Sequence, residues 1–379
     1  YYGKDTEKKV KEFQKDYNLA VSGIADEITL DKIAELVKKV EQPINITEST
    51  NYNITLSEAL DIQMVQLNQT DKHRNKEGYV HSDYLRYTGQ AEVITKTANV
   101  RSSASTNSTN VDKLKKGETV NIFGYVDNGG TYAGSKTWYK ISYKGSTRYI
   151  HSSRVKGNNA IATTTVNVRS GKGTSYPIYG HIGTAPGEIV KIISHGVTWH
   201  RINTAWIRPT RDELKKFLNP NNNDKFQHLR LDSSVNVSAS ELNKVLKGKG
   251  ELSGQGQAFI DAGKKHGINE AYLIAHAFLE TGNGTSTLSK GVKYKGKTVY
   301  NMFGIGAVDS DPTNGGAKTA YENGWFSPEA AIIGGAEWIG NGYIYNEHSQ
   351  NTLYKMKWNP NMYKGYAWKQ YATDIEWAN

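Results

Sequence analysis

The chain has 379 residues, 37% of them hydrophobic, and a formal net charge of +10. That length exceeds what one core usually organises, so two to four domains are expected. The absence of cysteine excludes structural disulfides, thiolate nucleophiles and Cys-ligated zinc, and no run of about 18 apolar residues offers a membrane span. The lysines are spread over every segment, with no recognition helix, zinc finger or RNP-type strand, so the charge suits a polyanionic surface better than nucleic acid. The chain starts at Tyr1, not Met, which fits a processed chain that has lost an export signal.

Helical periodicity comes first. Val10, Phe13 and Tyr17 recur at helical spacing, and Leu30, Ile33 and Val37 share one face of a second helix with Thr29 as its predicted N-cap. Residues 43–90 read as a polar connector with one short helical pattern, Thr55 to Leu67, whose apolar stripe is expected to pack on a neighbouring domain. Next, "TANVRSSAS" (97–105) recurs as "TVNVRSGKG" (165–173), and each copy is followed by alternating runs broken by Gly, Asn and Ser. This pattern predicts two small β-barrels over 93–157 and 162–209, with Trp138 and Trp199 in their cores and Tyr132 and Tyr149 more open. Residues 210–225 predict a linker helix running into an Asn-rich turn, and 226–379 a helical domain of single-core size.

The stretch "AHAFLETGNGTS" (275–286) carries the chemistry. Asn269 is a predicted N-cap, and Leu273, Ile274, Ala277 and Phe278 form the buried stripe of the helix that follows. Glu280 comes seven residues after Leu273, about 20° from the same direction, and Gly282 can end the helix in a left-handed turn. A carboxyl on the apolar side loses hydration, which raises its pKa toward neutrality, as a general acid for glycoside cleavage requires. The plainer alternative is a last-turn Glu facing water. His276, one turn earlier, reads as a packed residue close enough to interact.

Three resemblances follow from these motifs. "VKEFQKDYNLAVSGIADEITLDKIAEL" resembles the helical peptidoglycan-binding repeat, here partial (1–42) and lacking the opening helix. The two Asn-Val-Arg segments resemble bacterial SH3-type wall-binding domains. "AHAFLETGNGTS", "VYNMFGIGA", "GWFSPEAAIIGGAEWI" and "QYATDIEWA" match, in order, the autolysin-type N-acetylglucosaminidases of glycoside hydrolase family 73. The resemblance implies a multidomain α+β chain with a lysozyme-like, mainly α catalytic domain and an additional lobe. It implies Glu280 as general acid, Tyr371 beside the cleft, and Tyr300, Asn301 and Phe303 as cleft-wall and sugar contacts. Trp325 and Tyr343 are further groove candidates, each with a core role as the alternative.

A second catalytic group is less defined. Asp309, Asp311 and Glu322 lie in the right segment, but Ala320 stands where some family members carry a second Glu. A carboxylate base, a carboxylate nucleophile and assistance by the substrate's N-acetyl group all stay open. The expectation is a secreted, wall-associated, monomeric endo-β-N-acetylglucosaminidase acting on peptidoglycan, with anionic wall polymers as further partners, no nucleic acid, no cofactor and no metal. The alternatives are a muramidase or lytic transglycosylase on the same scaffold, or a non-catalytic wall-binding protein.

Overall fold

A computed structural model of the chain describes residues 4–41, 49–183, 185, 188–307 and 311–378. It divides into two compact units, Tyr1–Ser49 and Thr50–Asn379.

In the first unit, helices α1 (Lys4–Asp16) and α2 (Glu27–Glu41) are joined around a buried amide. Gln14, fully buried, donates to Ile24 O at 2.8 Å and to Thr29 Oγ1 at 3.0 Å, and accepts from the Gly23 N–H at 2.8 Å. The cap of α2 differs from the expectation. Asp26 Oδ1 accepts from the Thr29 N–H, so the cap lies three residues earlier and Thr29 is inside the helix. An aspartate ahead of the helix competes better for that orphan N–H than a threonine within it.

The second unit contains two seven-stranded antiparallel sheets with the same spatial order. One runs Asn110–Lys115, Thr97–Arg101, Ser146–His151, Trp138–Tyr143, Thr119–Val126, Gly89–Val93, Val155–Gly157. The other runs Ile178–Ile182, Val166–Arg169, Gly78–His81, Trp199–Ile202, Val190–Ser194, Asn159–Ala162, Leu85–Tyr87. The repeated arginines do the same task in both: Arg101 donates to Ser108 O at 2.7 Å, and Arg169 to Tyr176 O at 2.8 Å. Val100 and Val168 beside them are fully buried in separate cores.

The match reveals a permutation. Residues 78–87, placed by sequence in the polar connector, are strands of the second sheet. There they occupy the places that 146–157 hold in the first. Each segment carries a 3-10 turn capped by a histidine, His81 accepting from the Asp83 N–H and His151 from the Ser153 N–H. The first module is thus inserted between the closing and opening strands of the second. Side chains cross between them: Tyr87 N–H donates to Tyr139 Oη at 3.1 Å, and Arg86 Nε to Asp127 Oδ1 at 2.7 Å.

The helical body follows: α3 (Leu56–Met64), α4 (Arg211–Leu218), α5 (Ala239–Leu246), α6 (Gly256–His266), α7 (Glu270–Thr281), α8 (Pro312–Glu322), α9 (Pro328–Ile339) and α10 (Leu353–Lys357), with a hairpin at 292–299. The main core gathers Phe259, Leu273, Ala277, Met302, Ile332 and Ala336, so α7 is central. The connector and linker helices belong here too. Leu60 of α3 and Leu214 and Leu218 of α4 share a second cluster with Tyr354, Trp358 and Ile375. Both are amphipathic, and the C-terminal segment supplies the apolar face that covers their stripes. Among the described residues, no helix is long and apolar enough to cross a membrane.

Candidate active site

Local rules set the ends of α7. Asn269 Oδ1 accepts from the Tyr272 N–H at 3.1 Å, and Gly282 adopts φ 55° and ψ 52° at the C-cap. Glu280 lies in the last turn with 28% of its side chain exposed, between a buried stripe and open water. A second chain segment closes on the carboxyl: a Cβ on Gly304, which has φ 64°, would sit 3.3 Å from Glu280 Oε2. Glycine at 304 therefore allows backbone to approach the acid.

Behind Glu280 a line of side chains runs into the core. Tyr371 Oη donates to Glu280 Oε1 at 3.1 Å and lies 2.5 Å from His276 Nε2. His276 Nδ1 is 3.0 Å from Tyr272 Oη, whose hydroxyl donates to Met356 Sδ at 3.5 Å. His276 Nε2 is also 3.5 Å from Glu280 Oε1. Phe303 presses edge-on against the imidazole, and Tyr343 and Trp377 pack on the Tyr371 ring. Burial pushes the phenols of Tyr272 and Tyr371 far above the ordinary tyrosine range, so both act as neutral hydroxyls.

The carboxyl corrects a sequence expectation. Burial is the largest single influence and raises its pKa, but the hydrogen bond and charge of His276, with the Tyr371 hydrogen bond, outweigh it. Glu280 is held below its ordinary value, not raised toward neutrality. The spacing of four residues placed His276 beside it, but the line through Tyr371 depends on a segment 95 residues away. Two proton arrangements satisfy this line. In one, an imidazolium donates to Tyr371 and Tyr272, and Tyr371 donates to the carboxylate. In the other, the carboxylic acid donates to Tyr371, Tyr371 donates to Nε2, and Nδ1–H donates to Tyr272. They hold the same number of protons, two of which change site, and differ by no heavy-atom position.

The remaining candidates fall in several places. Asn301 is 1% exposed, donating to Ile305 O and Gly316 O and accepting from the Phe303 and Ile305 N–H groups. It ties the 301–305 loop together from inside. Phe303 and Trp325 are buried at 3%, Phe303 edge-on against the His276 ring. Tyr300 and Tyr343 are half-buried. Asp311 is exposed and caps α8, accepting from the Asn314 N–H at 3.2 Å. Glu322 is exposed with Lys318 3.9 Å away, and Ala320 is fully buried in the core. Asp309 lies outside the described residues. Among the described residues no hydrogen bond or ion pair links Glu280 to a second carboxylate, and no cluster of three His, Asp or Glu could hold a metal.

The C-terminal body is thus a helical domain organised around one carboxylic acid at a helix end, backed by a tyrosine and a buried histidine. Residues 256–379 match the glucosaminidase family, described as mannosyl-glycoprotein endo-beta-N-acetylglucosaminidase. Residues 96–156 match the bacterial SH3 domain family, and residues 1–33 a peptidoglycan binding domain family. The chain is similar to a beta-N-acetylglucosaminidase of Bacillus subtilis (strain 168), 53% identical over 199 residues, covering 51% of this chain and 22% of the relative. A bifunctional autolysin of Staphylococcus epidermidis is 49% identical over 189 residues, covering 48% and 14%. The chain therefore spans about a fifth or less of the curated relatives it matches. Among solved structures, a major bifunctional autolysin is 44% identical, with 46% of this chain and 73% of that chain covered at a TM-score of 0.37. A catalytic mutant of S. aureus autolysin E in complex with the disaccharide NAG-NAM is 39% identical, with 46% and 76% covered at 0.39.

Proposed function

We propose that the chain is a cell-wall hydrolase that cleaves peptidoglycan glycan strands at N-acetylglucosaminyl bonds, with Glu280 as the general acid. The observation that carries this is the line Glu280–Tyr371–His276, a hydrogen-bonded path that ends on a partly exposed carboxyl. A glycan seated over Glu280 strips its remaining water, and lost water favours the neutral carboxylic acid over the carboxylate. Substrate binding thereby shifts the line to the arrangement with the proton on Glu280, ready for the leaving oxygen. General acid catalysis of this kind contributes roughly 10²–10⁴-fold. Gly304 leaves room beside Oε2 for the sugar to approach.

Wall attachment accounts for the rest of the chain. The identical strand order and arginine contacts support reading the second sheet as another SH3-like barrel, giving a rigid pair. With the N-terminal helical repeat and the +10 charge, the pair would hold a secreted, monomeric enzyme on peptidoglycan and its anionic polymers without nucleic acid. The helical body with its 292–299 hairpin corresponds to a lysozyme-like core with an added lobe. In this reading Tyr371 sits beside the bond being cut, Tyr300 and Tyr343 offer ring faces to the sugar, the first barrel takes 89–157, the second takes 78–87 with 159–209, and the catalytic body takes α3 and α4 together with the chain from 226 onward.

The test is digestion of purified peptidoglycan, followed by borohydride reduction and mass analysis, for wild type and Glu280→Gln. Reduced N-acetylglucosamine ends that vanish in the variant support the proposal. Reduced N-acetylmuramic acid ends would assign a muramidase, 1,6-anhydro ends a transglycosylase, and binding without new ends a wall-binding protein.

A further inference from the structure

Lys357 is a lysine with no exposed surface, in a domain whose proposed chemistry does not use it. It closes α10, and the residue before it accepts the Tyr371 N–H: Tyr371 N to Met356 O is 3.0 Å. Its ammonium donates to Gln370 Oε1 at 3.0 Å, Ala372 O at 2.8 Å and Thr373 O at 3.3 Å, so it grips the chain on both sides of Tyr371. A fourth oxygen, Asn68 Oδ1 at 2.9 Å, comes from 289 residues away, outside the stretch that matches the glucosaminidase family. Asn68 is fixed by its own amide, which donates to Gln63 O and Oε1, both at 2.9 Å. Gln370 donates to the same Gln63 Oε1 at 2.6 Å.

Residues 370–373 form neither helix nor strand, so no regular ladder fixes the backbone that carries Tyr371. Its order comes instead from Lys357 and from the strip 66–70. Gln69 N–H donates to Thr373 O, and Ile375 N–H to Gln69 O, both at 2.9 Å. Burial lowers the pKa of Lys357 to about 7, with Asp374 opposing that shift. A buried cation is retained only where oxygens replace its water, and here the oxygens are those that place the tyrosine.

We propose that Lys357, anchored by Asn68, is a positioning residue that sets the Tyr371 hydroxyl against Glu280. The connector residues 63–70 then belong to the catalytic apparatus although they lie far upstream of the family's own domain. This inference rests on the reading of Glu280 as the acid.

The experiment is a double-mutant cycle on the full chain, hydrolysing a soluble peptidoglycan fragment, with Lys357→Met, Tyr371→Phe and the combination. Lys357→Met is expected to lower kcat about tenfold with KM within about twofold, and to have no further effect on the Tyr371→Phe background. Asn68→Ala, which leaves the ammonium three oxygens, is expected to show a smaller loss that also vanishes without the tyrosine hydroxyl. It carries the cycle if Lys357→Met does not fold. Unchanged kcat in these variants, or a loss carried undiminished into the Tyr371→Phe background, overturns the positioning role. Wild type that releases no reducing ends would overturn the parent reaction, a result distinct from failure of the cycle.

Discussion

The hydroxyl of Tyr371 donates to Glu280 Oε1 at 3.1 Å across 91 residues of chain. The helix that carries the acid supplies its burial and its histidine, but the group that completes the line comes from an irregular C-terminal segment. The affinity of Glu280 for a proton is thus set by tertiary structure.

Tyr371→Phe tests that relationship with little change in shape, since the ring keeps its packing on Trp377 and Tyr343. The variant loses a hydrogen bond to a charged group, worth about 1.5–3 kcal/mol. The expected outcome is a kcat lower by roughly 10–100-fold with KM nearly unchanged. Steady-state kinetics on a soluble glycan fragment check it, and a kcat within a factor of two of wild type would remove the tyrosine from the chemistry.

His276→Phe should move the acid itself. The imidazole supplies the main influences that lower the Glu280 pKa, and burial, which raises it, stays in place. The sign is therefore upward: the carboxyl titrates at higher pH in the variant than in wild type. Carbon-detected NMR titration of the Glu280 carboxyl reads this directly, and an unchanged or lower midpoint would contradict the contact.

Much of this site was legible in the residues. Helical spacing put Glu280 on the apolar side of α7, and Asn269 and Gly282 end the helix as expected. The sign of the pKa shift was not legible, because burial can be inferred from periodicity whereas the Tyr371 contact depends on distant chain. The resemblance implies groove contacts for Asn301 and Phe303, but the motif that carries it does not separate sugar contact from the loop-holding and packing these two buried side chains perform. Lys357 is one of 47 basic residues, and nothing local separates it from the solvated ones. In the β region the Asn-Val-Arg repeat exposed two modules, but "YVHSDYLRY" (79–87) precedes the first copy, so its likeness to "YIHSSRVKG" (149–157) was hidden by order.

Asn301→Ala should act on stability, not on substrate affinity. Its amide makes four hydrogen bonds to buried or half-buried backbone, and cutting them leaves orphan groups. A loss of roughly 2–4 kcal/mol is expected, seen as a lower denaturant midpoint, with KM of the folded enzyme close to wild type. A raised KM at unchanged stability would restore Asn301 to the groove wall.

The second β module should weaken in acid. His200, 6% exposed, accepts the Gly196 N–H on Nδ1 at 3.2 Å, a bond that protonation of that atom breaks. Burial chiefly, then His195 and Lys156, lower its pKa to about 4. Because the folded value lies below the unfolded one, the unfolded chain takes up the proton first as pH falls. Stability is lost between about 6.5 and about 4, by roughly 3 kcal/mol, with no further loss below. His73, His181 and His195 are lowered by burial too and steepen the slope. Hydrogen exchange of residues 159–207 against pH checks this, and His200→Gln should flatten the dependence.

The permutation gives a prediction that separates the two modules. Val80 is fully buried in the core with Val168 and Ile202, although it lies before the whole first module in the chain. Val80→Ala opens a cavity there at a cost of about 2–3 kcal/mol. Hydrogen exchange should then show lost protection in 78–87 and 159–207 together, while 97–151 keeps its own, since its core uses Val100, Ile141 and Ile150 instead. If 97–151 loosened and 159–207 did not, residues 78–87 would belong with the first module. The same insertion means that the first module can open without unfolding its host, whereas the host has no closed sheet without the strand that precedes its guest.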